Sequence, residues 1–245
     1  MKKIVLFYAF ASWLVLCAGL YAQEDSAKKW KDEAELSYVG TSGNTDVLSL
    51  SAKNKLDYQF TERLSGQWNL SVLYGETGGD KTAERYATDI RSDYSITERV
   101  YAAGLAGWLK DEFSGIDRRI NLGPAVGYKF LLGPAHFLNS EAGLEYVKED
   151  YTDNDEDSFM RGRLYGLYEF LLTEKSKFSQ SLEYLHNLDD GSDYNINSIT
   201  AIITSLSDTF SIKTGYEIHY DNKPVPDSIE ETDTILSVAL VVNFN

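Results

Sequence analysis

Apolar and polar residues alternate with a period of two along nearly the whole chain from Trp30 onward. Trp30, Ala34, Leu36 and Tyr38 share one face of the first segment, while Lys31, Glu33, Glu35 and Ser37 share the other. After a turn at residues 40–44 that holds two glycines and an Asn, Leu48, Leu50, Ala52, Leu56, Tyr58 and Phe60 alternate with Ser49, Ser51, Lys53, Lys55, Asp57 and Gln59. Such a period predicts strands with one apolar and one polar face. Gly and Asn tolerate the positive φ of a tight hairpin, so this opening stretch predicts strand, turn, strand.

The plan repeats. Strand four sets Tyr86, Thr88, Ile90, Tyr94 and Ile96 against Ala87, Asp89, Arg91 and Asp93, and strand five puts Tyr101, Ala103, Leu105 and Leu109 on its apolar side. Strand eleven alternates most cleanly, with Phe210, Ile212, Tyr216, Ile218 and Tyr220 opposite Ser211, Lys213, Gly215, Glu217 and His219. Strand ten, residues 194–205, alternates least. Short polar turns begin near residues 61, 97, 131, 173 and 207 and alternate with longer, often acidic loops, among them 76–85, 148–157, 189–193 and 221–233. A soluble sandwich has no reason to keep its long loops at alternate connections. A transmembrane barrel does, with short turns in the periplasm, long loops outside and an even number of strands. The prediction is all-β: an antiparallel up-and-down transmembrane β-barrel of about 12 strands. The apolar faces span about ten residues, near the ~9–11 of a tilted spanning strand. Closure leaves no unpaired edge in lipid. Aromatics near strand ends, including Trp68, Tyr74, Tyr86, Tyr94, Tyr101, Tyr128, Tyr146, Tyr168, Tyr220 and Phe244, are expected in the interfacial girdles.

Before Trp30, Lys2 and Lys3 precede the apolar run 4–16 and small residues ending at Ala22, which reads as a secretory signal peptide over residues 1–22. Residues 23–245 then form the barrel, exported to the outer membrane of a Gram-negative bacterium. The chain carries net charge −15, and losing Lys2 and Lys3 leaves 38 acidic against 21 basic residues, or −17. That excludes phosphate-directed nucleic-acid binding, which needs a basic footprint. Cys17 falls inside the signal, so no disulfide is expected in the barrel.

The GTSGNTD turn after an acidic, Trp-led strand, together with RRINLGPAVGYKF at residues 118–130, resembles the YdiY-like salt-induced outer-membrane protein family, a domain of unassigned function. The resemblance implies an outer-membrane β-barrel and carries over no catalytic residues. Barrels of this class end in an aromatic read by the assembly machinery, whereas here Phe244 is followed by Asn245.

The polar faces supply the candidate chemistry. Arg91, Glu141, Glu145, Arg161, Arg163, Lys213 and Glu217 are the candidate lumen-lining groups. Charges this numerous must be paired or wet. They form either a structural filler network or the wall of a narrow pore for small solutes. A barrel hydrolase would need a His beside a Ser or an acid. Only His136, His186 and His219 exist: His136 sits at a short-turn end, His186 and His219 have no Ser at the neighbouring same-face positions, and although His219 with Glu217 or Asp221 could mimic an acid–His pair, no enzymatic activity is expected. Asp153, Asp155 and Asp157 alternate as calcium ligands do, but Ser158 and Leu164 stand where a calcium loop places Gly and Glu. No cofactor is expected. The expected partners are outer-membrane lipid, lipopolysaccharide and the assembly machinery, with the barrel a monomer. Alternatives left open are an outer-membrane hydrolase and a soluble periplasmic barrel holding an apolar ligand.

Overall fold

The computed structural model describes residues 29–41, 47–153, 155–225 and 230–244. The signal segment 1–22, most of the 40–44 turn, Pro226 and Asn245 lie outside the described residues. Twelve strands follow one another: β1 (Trp30–Thr41), β2 (Val47–Gln59), β3 (Leu64–Thr77), β4 (Asp80–Ser95), β5 (Val100–Asp111) and β6 (Ile116–Leu132). Then come β7 (His136–Tyr151), β8 (Glu156–Leu171), β9 (Ser176–Asn187), β10 (Tyr194–Ser205), β11 (Phe210–Asp221) and β12 (Thr232–Phe244). Each pairs antiparallel with its sequence neighbour, and β1 pairs with β12, so the sheet closes into a barrel.

One end carries the five short turns, and a hydroxyl caps four of them, all but the turn at Gly133 and Pro134. The Thr61 Oγ1 accepts the Leu64 N–H at 3.0 Å, Thr97 Oγ1 accepts that of Val100 at 2.9 Å, and Ser207 Oγ accepts that of Phe210 at 3.1 Å. A Ser or Thr hydroxyl that caps nearby backbone in this way folds the chain back without a glycine. The repeated Thr-Glu-Arg of residues 61–63 and 97–99 is therefore a turn device.

The other end differs from the sequence reading. Residues 76–85, read as a loop, are mostly strand: β3 runs to Thr77, β4 begins at Asp80, and only Gly78 (φ 62°) and Gly79 (φ 98°) intervene. Positive φ at both central residues makes the two-residue hairpin that matches strand twist. Likewise β7 extends to Tyr151 and β8 starts at Glu156, inside the segment 148–157. Strands of 12–17 residues exceed what a bilayer requires, so these hairpins project past it. Both faces of a projecting ribbon meet water, and the alternation that reveals a strand vanishes there.

Within the band, exposed apolar side chains face outward: Ile90, Leu122, Val126, Leu144, Leu164, Leu182, Ile212 and Leu240 among them. Strand β5 overturns the expected facing. Tyr101, Ala103 and Leu105 point into the lumen, and Tyr101 is only 2% exposed, while Ala102, Gly104, Ala106 and Trp108 face out. Tyr101 is thus no girdle residue. Both faces of β5 are mostly apolar, so periodicity could not choose between them. Strand β10 is ambiguous for the converse reason: Ile199 faces the cavity, while Ser198 and Thr200 on the outer face both bond Gln180 of β9, at 3.0 and 2.5 Å. Asp32 and Asn54 also share the outer face, where the Asn54 amide donates to the Asp32 carboxylate at 2.6 Å.

Candidate functional site: the charged lumen

The inner faces of β5 and β6 hold Ala103, Gly107, Gly123, Ala125 and Gly127. This low floor lets side chains from β4 and β7 meet above it. Arg91 of β4 grips Glu141 of β7 with both terminal nitrogens, at 2.6 and 3.0 Å, and also Asp93 at 2.5 Å. From the other side Arg163 of β8 donates to Glu141 at 2.8 Å and to Glu183 of β9 at 2.6 Å. Tyr101 adds a third donor to Glu141 at 2.7 Å. Arg161 and Glu145 pair at 2.5 Å beside this cluster. Planar guanidinium against carboxylate is the strong, bidentate form of ion pair. It fits a lumen where an unpaired buried charge costs several kcal/mol.

The chain of contacts continues around the wall. Asn197 of β10 donates to Glu183 at 3.0 Å, which turns its Oδ1 toward His219 Nδ1 at 2.9 Å. An amide oxygen only accepts, so Nδ1 carries the proton. The other ring nitrogen of His219 lies 3.8 Å from Glu217, and Glu217 is ion-paired with Lys53 of β2. Lys213 reaches Glu35 of β1 at 2.6 Å. One polar belt therefore runs from Asp93 on β4 through β7, β8, β9, β10 and β11 to Lys53 on β2.

Five of the seven candidate residues, Arg91, Glu141, Glu145, Arg161 and Arg163, gather in one cluster. Lys213 and Glu217 lie on the β11 wall, linked to the cluster through Asn197 and His219. The sequence reading missed Asn197 and Tyr101. Asn197 sits on the strand with the poorest alternation, and Tyr101 was assigned to the wrong face.

The belt borders a cavity of about 640 Å³ that Gln67, Asn69, Asp89, Lys129, Asn139 and Tyr165 also line. Among the described residues Asp89 has no ion pair, and the Lys129 ammonium lies 5.5 Å over the Tyr101 ring rather than on a carboxylate. The cavity shares Ser65, Gln67 and Asp93 with a space of about 350 Å³ at the short-turn rim, near Trp30 and Gln59. Toward the opposite end four apolar side chains pack together, beside a smaller space of about 90 Å³ that Asp111, Arg119, Asn195, Asn197 and His219 line. Ile116, Val147, Phe159 and Leu185, on four consecutive strands, are all buried, and Val147 stands directly across from Phe159. Next to these residues Arg119 pairs with Glu149, which also accepts the Tyr151 hydroxyl at 2.6 Å.

The remaining candidates sit elsewhere. His136 bonds Tyr168 at 2.9 Å and stacks on Phe170 near the short-turn end, and His186 contacts Tyr184 at 3.2 Å on the outer face. Asp153 accepts the Asp155 N–H at 3.2 Å and Asp157 accepts that of Ser158 at 2.7 Å, so both serve local backbone. In the loops above β9 and β11, Lys223 pairs with Asp190 at 2.5 Å and holds that carboxyl well below its usual range, with help from Ser192.

A closed twelve-stranded barrel, apolar outside and charged within, is the architecture of outer-membrane β-barrel proteins. Residues 34–244 match the family described as "Protein of unknown function, DUF481", and the chain belongs to that family. It is 28% identical over 216 residues to the uncharacterized protein YdiY of Escherichia coli, covering 88% of this chain and 84% of that one. Among solved structures it resembles the translocator domain of the autotransporter NalP from Neisseria meningitidis, with a TM-score of 0.55 at 11% identity over 99% of this chain and 98% of that one. It also resembles an outer-membrane channel of Pseudomonas putida (0.54, 12%, 91% and 100%) and the NanC porin (0.53, 7%, 87% and 97%). These likenesses extend to the fold.

Proposed function

We propose that this barrel lies in the outer membrane, short turns toward the periplasm, and provides a narrow hydrated passage for small hydrophilic solutes. The carrying observation is the polar cavity of about 640 Å³ inside the barrel, joined to the space at the short-turn rim. Its lining holds Asp89, Asp93, Glu141, Glu145 and Glu183 against Arg91, Lys129, Arg161 and Arg163, so the passage discriminates weakly between ions of opposite sign. The apolar layer at Val147 and Phe159 is its constriction. Hydrophobic constrictions gate by dewetting, which suits a conduit that is closed for much of the time. In this reading the protein is not an enzyme, and its partners are membrane lipid, lipopolysaccharide and the assembly machinery.

A second reading rests on the saturation of the belt, in which nearly every luminal guanidinium is bonded to a carboxylate. Such a network suits a structural role in envelope integrity under osmotic or salt stress. Planar-bilayer recording of the refolded protein separates the two. Discrete current steps support the passage, whereas silence across the voltage range removes it and leaves the structural role.

A further inference from the structure

The two ends of the chain meet over part of their length only. The β1–β12 ladder runs from Asp32↔Phe244 to Leu36↔Leu240, in the short-turn half. Beyond it β1 continues to Thr41, still paired with β2, and β12 continues back to Thr232, still paired with β11. Among the described residues nothing pairs with the facing edges of residues 37–41 and 232–239. Exposure beside the gap matches that of outward side chains on fully paired walls, such as Ile90 at 61% and Leu122 at 63%, and exceeds it at Leu236. Leu36 and Leu240, where the seam is zipped, are 42% and 46% exposed, while Tyr38, Val238 and Leu236 beside the gap reach 64%, 62% and 75%.

Unpaired backbone groups in dry hydrocarbon cost several kcal/mol each, so an open edge at this depth is tolerated where it borders water. The gap borders the lumen. Ser37, Ser49 and Ser51 face inward on one side of it and Ser237 on the other. On the luminal side Lys213–Glu35 and Lys53–Glu217 bridge β11 to β1 and β2 across the seam. The charges nearest the slot therefore neutralise one another, and the slot itself presents hydroxyls.

We propose that this slot is a lateral binding site for a single-chain amphiphile with an uncharged, hydroxyl-bearing head. The acyl chain lies in the membrane against Tyr38, Leu236 and Val238, and the head turns inward to the serines. An inserted peptide strand fits less well. β1 and β12 run in opposite directions, so one added strand would be antiparallel to one edge and parallel to the other. An acyl chain needs no register, and lumen water satisfies the edges. The proposal is independent of ion passage and goes beyond it.

The test is photolabelling of the refolded full chain in phospholipid bilayers with a monoacylglycerol carrying a diazirine in its chain, with adducts mapped by mass spectrometry. A fatty acid of equal length serves as the charged control. We expect adducts from the monoacylglycerol concentrated several-fold at residues 37–41, 49, 51 and 235–239 over Leu122 and Leu144 on the far wall, and less from the fatty acid. In a Tyr38→Cys/Val238→Cys variant the disulfide should form more slowly than in Ala34→Cys/Val242→Cys, whose positions are register partners. Once formed, it should abolish the slot adducts, and reduction should restore them. If it never forms, the location of the adducts alone decides. Uniform labelling of the outer surface overturns the proposal, as do equal labelling by the fatty acid, equal oxidation rates for the two pairs, or a dimer joined through β1 and β12.

Discussion

The Tyr101 ring lies directly on Gly127 of the neighbouring strand, and its hydroxyl donates to Glu141 one strand further on, at 2.7 Å. A Cβ at residue 127 would overlap the ring, so this glycine is needed for clearance. We expect Gly127→Ala to displace Tyr101 and destabilise the barrel by about 1–3 kcal/mol, the usual cost of overpacking. Gly104 faces open space on the outer side of β5, and Gly104→Ala should be neutral. The temperature at which the folded band on a gel converts to the unfolded one reads both.

Glu141 serves Arg91, Arg163 and Tyr101 together. Glu141→Gln leaves two guanidinium groups short of a carboxylate, and breaking a buried pair this way costs about 3–5 kcal/mol. Water in the cavity lowers the cost here, so we expect the low end of that range. Glu169→Gln, whose partner Lys177 lies near the short-turn rim, should change stability by less than about 1 kcal/mol. Parallel denaturant titrations of the two variants make the comparison, and equal losses would mean that the belt does not act as a connected unit.

Asp89 is the luminal carboxylate to probe for selectivity, because it faces the cavity without an ion pair and its removal breaks no bridge. We expect Asp89→Asn to keep the folded state and move the reversal potential in a salt gradient toward anions. No movement would show that permeating ions avoid this wall.

Phe159 and Val147 are buried side by side toward the longer loops, where the proposed passage has its constriction. Truncation in Phe159→Ala should widen the constriction and raise single-channel conductance severalfold over the parent barrel. Unchanged conductance would place the narrowest point elsewhere.

Across the loops, the lowered Asp190 carboxyl gives the pH sign of its link to Lys223. A depressed folded-state value means the tie is present at neutral pH and is lost only as pH falls through that value, below the ~3.9 of a free Asp. Proteolysis of the loop at residues 188–193 at about pH 4.5 should therefore match that at neutral pH in the parent chain. It should be faster at both pH values in Lys223→Ala.

The clean alternation of β11 made the barrel readable, because one of its faces meets lipid and the other the polar lumen. Legibility failed where that contrast failed. β5 is mostly apolar on both sides, which hid the inward turn of Tyr101, and the ribbons around Gly78–Gly79 and Tyr151 are wet on both sides, which made strands look like loops. Asp32 and Asn54 broke the pattern on the outer face and went unread, since each is tolerable there only through the other. The luminal charges could be named from the sequence, but their pairing could not. That Glu141 meets Arg91 across two intervening strands depends on the stagger of the closed sheet and on the small residues lining β5 and β6.

The bridges at the seam join the most distant parts of the chain. Lys213 and Glu35 are 178 residues apart, and Glu217 and Lys53 are 164 apart. Loop-closure entropy makes contacts of such separation the slowest to form. All twelve hairpin-connected strands can assemble by local pairing while these four side chains remain without their partners. Closing the barrel is then a late, separate event in folding, and weakening either bridge should prolong the lifetime of an uncurled sheet more than it lowers the stability of the finished protein.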